Sequence, residues 1–238
     1  MIPKRIYYIW LGKKPISKKI EENINSWKNL NPDFEICRID ESNFDINEYR
    51  YIKEAYEAGY WAYASDLVRL VVIYRNGGFY FDTDTKMIKP LNSLLKYKSI
   101  WALETPGIVA SGLIIGANKG DRNLKNLIQI YKNKKFDSND LYNVLTTKII
   151  SEYFQSKGLK LINKQQVLED GTVILPSDYF APYHWWGGGH LTKRTIAIQQ
   201  YDKSWDNNTS ITLLNKVKLN FKHNFPSLFF LMRRIKKS

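Results

Sequence analysis

The segment GGFYFDTD, residues 77–84, places an apolar strand directly before two carboxylates. Its three consecutive aromatic residues predict a buried strand, and Asp82 and Asp84 follow with one threonine between them. Residues two apart in an extended chain point to the same side, so we expect both carboxylates to aim at one point. Their repulsion would be relieved by a divalent cation with oxygen ligands. Acids are also common in turns after strands, so the segment alone leaves a metal site and a plain turn open.

The composition predicts one domain with a sizeable core. The chain has 238 residues, of which 44% are hydrophobic and 14% aromatic. A single cysteine, Cys37, excludes an intramolecular disulfide bond and fits a reducing compartment. We expect neither a signal peptide nor a membrane-spanning helix, because the apolar run at residues 6–11 is short and no run of 18 apolar residues occurs.

The order of strands and helices predicts an α/β fold with a mostly parallel sheet. Residues 6–12 and 34–39 have the pattern of buried strands, and residues 16–30 between them have helical spacing. The clearest helix is residues 60–75, which the sequence Asn76-Gly77-Gly78 should terminate. Further strands are predicted at 99–103, 111–117, 171–176 and 196–201, and further helices at 124–131 and 139–158.

Several polar candidates are predicted to meet at one edge of this sheet. Ligands of open α/β sheets bind beyond the carboxyl ends of the strands, where Trp10, Asp82 and Asp84 are expected. Asp66 and Arg69 are three residues apart on the helix and share one face. Spacing alone leaves two interpretations of this pair, an ion pair on the surface or a group that binds a ligand. It likewise leaves open whether Trp10 is a core residue or a binding residue.

The C-terminal segment, residues 211–238, differs from the preceding residues 1–210, which we assign to one folded domain. The net charge is +13, and no acidic residue follows Asp206. The basic residues beyond that point are Lys216, Lys218, Lys222, Arg233, Arg234, Lys236 and Lys237. With the aromatic residues among them, they favour a segment that binds an anionic membrane surface. The alternative is a terminal helix that packs on the core; no motif indicates a nucleic-acid partner.

The stretch ASDLVRLVVIYRNGGFYFDTD, residues 64–84, resembles the sugar-binding DXD region of glycosyltransferase family 32, and distantly the catalytic domains of large glucosylating toxins. The order S-D-L-x-R, helix, G-G-x-Y-x-D-T-D and Lys89-Pro90-Leu91 is that of the family. Residues 2–12 and 196–205 resemble its opening and closing segments. Tyr7 stands where the family often has histidine, and Gln199 and Gln200 stand where it often has a histidine pair.

The resemblance implies a GT-A-type, Rossmann-like fold, with a mostly parallel sheet flanked by helices. It implies a retaining, metal-dependent transfer of a hexose from a nucleotide-sugar donor, with Mn²⁺ or Mg²⁺ as the cofactor. We favour a UDP-hexose, with GDP-mannose as the alternative. The acceptor is expected to be a glycan. A lipid-linked glycan would fit a basic tail that binds the membrane surface. The expected pathway is the synthesis of a cell-surface polysaccharide such as a capsule. The expected location is the cytoplasm, peripheral to the inner face of the membrane.

The resemblance also assigns roles to single residues, but no catalytic nucleophile. Asp84 is expected to bind the metal directly, and Asp82 the ribose and the metal through water. Asp66 and Arg69 are expected to hold the donor sugar. Trp10, Ser204 and Trp205 are expected at the nucleotide, with the last two closing over the diphosphate. Further candidates are Tyr7, Gln200, Asp202, His184 and His190.

Two other functions remain open from sequence: a non-catalytic binding module on the same fold, and a basic protein that binds nucleic acid with a steep salt dependence. The same fold with a non-catalytic site would bind a nucleotide sugar without turning it over, and donor hydrolysis distinguishes this from an enzyme. In the loop HWWGGGH, residues 184–190, two histidines separated by three glycines make a poor zinc site. We expect that loop to be mobile and to act as a lid on the acceptor side.

Overall fold

The computed structural model describes residues 1–202 and 212–235 of the chain. Its strands are β1 (Arg5–Ile9), β2 (Glu35–Ile39), β3 (Gly78–Tyr80), β4 (Thr85–Met87), β5 (Ser99–Thr105), β6 (Ile108–Val109), β7 (Ile115–Ala117), β8 (Gln166–Val167), β9 (Val173–Leu175) and β10 (Ala197–Gln199). Its helices are α1 (Lys18–Leu30), α2 (Arg50–Glu57), α3 (Trp61–Asn76), α4 (Arg122–Lys132), α5 (Thr146–Ser156), α6 (Leu213–Asn224) and α7 (Pro226–Ile235).

The central sheet has the strand order β2-β1-β3-β7-β5-β9-β8, with β6 paired to β5. Strands β2, β1, β3, β5 and β9 run in one direction, and β7 and β8 run against them. Strands β4 and β10 form a separate antiparallel pair. The predicted mostly parallel α/β sheet is therefore confirmed, with one reversed strand beside β3.

Both faces of the sheet are buried, and alternation along each strand divides the core into two clusters. On β1, Tyr7 and Ile9 lie in the first cluster, whereas Ile6 and Tyr8 lie in the second. Helices α2 to α5 cover the first cluster, and α1 with the β4–β10 pair covers the second. Strands buried on both faces are typical of parallel sheets, and they explain why these segments are apolar without alternation.

Helix α3 ends where the sequence predicts. Gly77 has φ +68°, its N–H donates to the Ile73 carbonyl, and strand β3 begins at the next residue. A side chain at this position would lie 2.7 Å from the Lys119 backbone nitrogen. The glycine thus lets α3 return directly into the strand that precedes the two aspartates.

Two predicted elements differ from the structure, and one helix is not predicted. Residues 111–114 form a loop and only 115–117 pair as β7, because this loop contacts Asp82 and Arg69 instead of a neighbouring strand. The single helix predicted at 139–158 is a 3₁₀ turn, Leu141–Val144, followed by α5. Helix α2 has no counterpart among the predicted elements. Within the described ranges, no helix has both the length and the apolar character that crossing a membrane requires.

Candidate active site

The two aspartates follow β3 in a tight turn. The Asp82 carbonyl accepts a hydrogen bond from the Thr85 backbone N–H at 3.1 Å, and β4 starts at Thr85. The turn replaces the extended chain that we expected between the two carboxylates. It lies at the carboxyl end of β3, the edge where ligands of open α/β sheets bind.

Arg69 is the centre of a buried charged cluster. Its Nη2 lies 3.0 Å from Oδ1 of Asp66, and its Nη1 lies 3.4 Å from Oδ1 of Asp82. The guanidinium carbon is 4.8 Å from the centre of the Tyr80 ring, and the Tyr80 hydroxyl donates to Asp82 Oδ1 at 2.6 Å. Only 6% of the Arg69 side chain is exposed. The predicted i,i+3 pair is therefore a buried group that reaches the DXD turn.

Three small residues shape the space around this cluster, and sequence reasoning did not assign them to the site. Arg69 donates to the Ser65 hydroxyl at 3.0 Å and to the Ser111 hydroxyl at 3.2 Å. The Gly112 carbonyl accepts from the Asp82 N–H, and a Cβ on Gly112 would lie 2.0 Å from Asp82 Oδ2. The Ser-Gly dipeptide inside a predicted strand was the one local signal for this close approach.

The electrostatics of the cluster follow from its burial. Burial raises the pKa of Asp66 to about 7; Arg69 opposes that shift and the charge of Asp82 adds to it. For Arg69, burial alone would lower the pKa, but Asp82, Tyr80 and Asp66 outweigh it and the pKa is raised. The guanidinium stays charged and balances carboxylates on two different elements.

Asp84 lies on the other side of the turn and is held by the segment that follows β10. Its Oδ1 accepts from Gln199 Nε2 at 2.7 Å, and its Oδ2 accepts from the Asp202 N–H at 3.1 Å. Gln199 also accepts a hydrogen bond from the Thr85 hydroxyl at 2.7 Å. One glutamine at the family's histidine-pair position thus fixes the orientation of Asp84.

A divalent cation fits the electrostatics of Asp82 and Asp84. Burial and then the charge of Asp82 raise the pKa of Asp84 to about 7, so the two carboxylates repel each other in the folded chain. In residues 1–202 and 212–235 there is no group of three or more His, Cys, Asp or Glu residues arranged as a metal site. Two carboxylates would therefore share a cation with oxygens of a bound diphosphate, with water or with residues outside those ranges.

The remaining nucleotide candidates are placed differently. Trp10 follows β1 at the same edge, partly buried, and its indole donates to the Lys14 carbonyl at 2.6 Å. Tyr7 is not brought to the cluster, because it is buried in the first core cluster. Ser204 and Trp205 lie outside the described residues.

Gln200 and Asp202 both lie beside the DXD turn. The Gln200 N–H donates to the Asp84 carbonyl at 3.0 Å, and its side chain accepts from Asn23 of α1. The Asp202 carboxylate pairs with Lys19 of the same helix at 2.6 Å. Helix α1 therefore supports the far side of the turn.

The histidine loop is held by the C-terminal segment. His184 stacks on Trp186 with ring centres 4.6 Å apart and lies 4.2 Å from the ring centre of His223 on α6. Trp186 also donates to Asn220 of α6 at 2.9 Å. Burial and then His184 lower the pKa of His223 to about 4, and burial and then His190 lower that of His184. These imidazoles are neutral at physiological pH and serve as packing groups.

Comparison with known proteins agrees with this geometry. Residues 17–101 match the model of a family described as a glycosyltransferase sugar-binding region containing a DXD motif. The chain is 31% identical over 123 residues to inositol phosphoceramide mannosyltransferase 3 of Schizosaccharomyces pombe (strain 972 / ATCC 24843). That match covers 50% of this chain and 34% of the relative, so the chain spans about a third of the relative's length.

A solved glycosyltransferase structure shares the fold. The PaToxG glycosyltransferase aligns with a TM-score of 0.52 at 18% identity, over 65% of this chain and 68% of that one. A glycosyltransferase involved in glycosylation of the major capsid of PBCV-1 aligns over 85% of this chain and 95% of that one, at 8% identity and a TM-score of 0.48. The predicted resemblance and the predicted GT-A-type α/β fold are confirmed.

Proposed function

We propose that this chain, which contains a DXD sugar-binding region, is a retaining, metal-dependent glycosyltransferase that moves a hexose from a nucleotide sugar to a glycan acceptor. The observation that carries the proposal is the convergence of Asp66, Arg69 and Asp82 with Asp84 at the carboxyl end of β3. Retention of configuration rests on the family resemblance, and we assign no nucleophile.

Asp66 and Arg69 are proposed to bind the donor sugar. Arg69 contacts Oδ1 of Asp66, so the second carboxylate oxygen is the acceptor that we assign to a sugar hydroxyl. Because burial holds both side chains rigidly, a sugar bound here would be oriented without further ordering of the protein. Ser65 and Ser111 fix the guanidinium and act as positioning residues.

Asp82 and Asp84 are proposed to hold Mn²⁺ or Mg²⁺ against the diphosphate of the donor. Such a cation neutralises the charge that develops on the leaving nucleoside diphosphate. Gln199 and the Asp202 N–H keep Asp84 aimed at that position. Trp10 is assigned to the base, and Ser204 and Trp205 to the diphosphate.

The donor and acceptor are proposed from weaker signals. A UDP-hexose remains our first candidate, and GDP-mannose is retained because a curated relative is named a mannosyltransferase. That relative's name also includes a lipid, inositol phosphoceramide, which supports a lipid-linked acceptor here. Synthesis of a cell-surface polysaccharide, such as a capsule, follows from the resemblance alone.

The C-terminal helices are proposed to bind an anionic membrane surface at its cytoplasmic face. In α6, the apolar residues Leu213, Leu214 and Val217 are 78%, 79% and 58% exposed. Lys216 and Lys218 lie on the same exposed helix. Exposed apolar side chains beside basic ones suit the interface of an anionic bilayer. Asn220 and His223, both polar, contact the domain from this helix, which favours the membrane proposal over the core-packing alternative.

A donor panel tests the enzymatic proposal. UDP-glucose, UDP-galactose, UDP-N-acetylglucosamine and GDP-mannose are each added with Mn²⁺, and thermal shift and release of free sugar are measured. We expect one donor to raise the melting temperature and to be hydrolysed slowly, with water replacing the acceptor. A donor that stabilises the protein without any hydrolysis would indicate a binding module instead.

A further inference from the structure

Glu104 is a carboxylate that the proposed donor chemistry does not use. It lies near the carboxyl end of β5, which runs parallel to β3, so it sits at the same edge as the DXD turn. Along β5, Ile100 and Ala102 belong to the second core cluster, and Glu104 lies where the pairing of β5 with β6 shifts register. A strand that is apolar up to this point thus carries an acid at its irregular end.

The partner of Glu104 is Tyr201, which packs against that cluster. The Tyr201 hydroxyl lies beside the Glu104 carboxylate, in a hydrogen-bonding contact that influences the pKa of the acid. Burial raises the pKa of Glu104 to about 7, while this hydrogen bond and the charge of Lys222 on α6 both lower it. The ammonium of Lys222 therefore favours the ionised carboxylate, which is the stronger acceptor for a tyrosine hydroxyl.

Tyr201 lies between two residues that bind Asp84 through their backbones. The Gln200 N–H donates to the Asp84 carbonyl and the Asp202 N–H donates to Asp84 Oδ2, at 3.0 Å and 3.1 Å. Tyr201 itself has φ +53°, in the left-handed region that residues with side chains rarely adopt. A backbone in that region persists where surrounding contacts hold it, and the anchored tyrosine side chain supplies such a contact.

We propose that Glu104 and Tyr201 form a positioning pair that holds residues 200–202 against Asp84 and thereby sets the affinity of the DXD turn for a cation-bound nucleoside diphosphate. The pair acts through the backbone of its neighbours, and neither side chain is assigned to the metal. This inference rests on the proposed function.

The test separates the hydrogen bond from the charge. Tyr201→Phe removes only the hydroxyl, Glu104→Ala removes the acceptor, and Glu104→Gln keeps an acceptor oxygen without charge. Tyr142→Phe is the matched control, because Tyr142 is 66% exposed and lies on a distant 3₁₀ turn. Calorimetry measures the affinity of each full-length variant for UDP and for GDP with Mn²⁺, and melting temperatures report the fold.

We expect Tyr201→Phe and Glu104→Ala to weaken nucleotide binding about 10- to 100-fold, as loss of an outer-shell partner does at metal sites. Glu104→Gln should bind within about threefold of the wild type, since its amide oxygen still accepts the hydroxyl. If Tyr201→Phe binds the nucleotides with wild-type affinity, the proposed role of the pair is wrong. The same holds if Glu104→Gln binds as weakly as Glu104→Ala, because the charge rather than the hydrogen bond would then be responsible.

The same titrations distinguish failure of the pair from failure of the proposed function. If the wild type binds neither nucleotide in the presence of Mn²⁺, both proposals are wrong. If the wild type binds and Asp84→Ala does not, but Tyr201→Phe binds like the wild type, the positioning pair alone is wrong.

Discussion

The cluster around Arg69 and the helix α6 carry positive charge in opposite surroundings. Arg69 is 6% exposed, and its guanidinium contacts two carboxylates, two serines and an aromatic ring. Helix α6 has no buried residue, and it exposes lysines beside apolar side chains. A buried charge must find its partners within the fold, because leaving it unpaired costs several kcal/mol. The exposed charges of Lys216 and Lys218 on α6 carry no such requirement, because water solvates them.

The largest effect is expected from removing the centre of the buried cluster. Arg69→Ala leaves Asp66 and Asp82 without their cation, which should lower the free energy of unfolding by about 3–5 kcal/mol. Arg75→Ala is the matched control on the same helix, because Arg75 is largely exposed and pairs with Glu48. That substitution should cost about 0–1 kcal/mol. Urea denaturation measures both, and equal losses would remove the distinction between the two regions.

The next effect concerns pH at the DXD turn. Burial and then Asp82 raise the pKa of Asp84 to about 7, so protons compete with a cation below that value. The apparent affinity for Mn²⁺ with nucleoside diphosphate should therefore rise about tenfold per pH unit up to about pH 7, and then level off. Calorimetry between pH 5 and pH 8 measures it. A flat profile would show that Asp84 is already ionised throughout this range.

The raised pKa values of the buried carboxyl groups also determine how the stability of the cation-free protein changes with pH. Burial likewise raises the pKa of Asp66 to about 7. A folded state with raised carboxyl pKa values holds protons that the unfolded chain releases, so the free energy of unfolding should fall as pH rises from about 4 to about 7. Asp66→Asn should flatten this slope, which melting temperatures across the range would report.

The smallest effect on stability is expected in α6. Replacing Leu213, Leu214 and Val217 by serine should change the free energy of unfolding by less than about 0.5 kcal/mol for each residue, because all three are exposed. The same variant should no longer sediment with phosphatidylserine vesicles at low salt, whereas the wild type should. Val167→Ser is the control, since Val167 is 65% exposed and lies on β8. A large loss of stability would mean that these residues pack on the fold, and binding unchanged from the wild type would contradict the membrane proposal.

The parts of the site that sequence could predict are local. Asp66 and Arg69 are one helical turn apart, and Gly77 ends that helix directly before the DXD strand. The hydrogen bonds that complete the site join residues far apart in the sequence. Ser111 and Arg69 are 42 residues apart, and Gln199 and Asp84 are 115 residues apart. No periodicity or turn signal encodes such contacts. Tyr80 shows the same limit. Its position in an apolar strand predicts a core residue, whereas in the structure its hydroxyl also donates a hydrogen bond to Asp82.

The tail shows a different limit of sequence reasoning. Its composition predicted a basic, apolar segment, and two helices are present there. The contact of Asn220 with Trp186 depends on the path of the chain between the domain and α6, which composition does not specify. The predicted boundary at residue 210 falls in the part of the chain that the structure does not describe and stays a prediction.

The most direct test of the proposed chemistry is hydrolysis of the best donor from the panel by wild type and by Asp84→Ala, each with Mn²⁺ and with EDTA. Asp137→Ala serves as the control, because Asp137 is an exposed acid away from the turn. The wild type and the control should release sugar only with the cation, and Asp84→Ala should lose at least about 100-fold in rate while its melting temperature is maintained. Sugar release by the wild type in EDTA, or by Asp84→Ala at the wild-type rate, would contradict a cation-dependent site at the DXD turn.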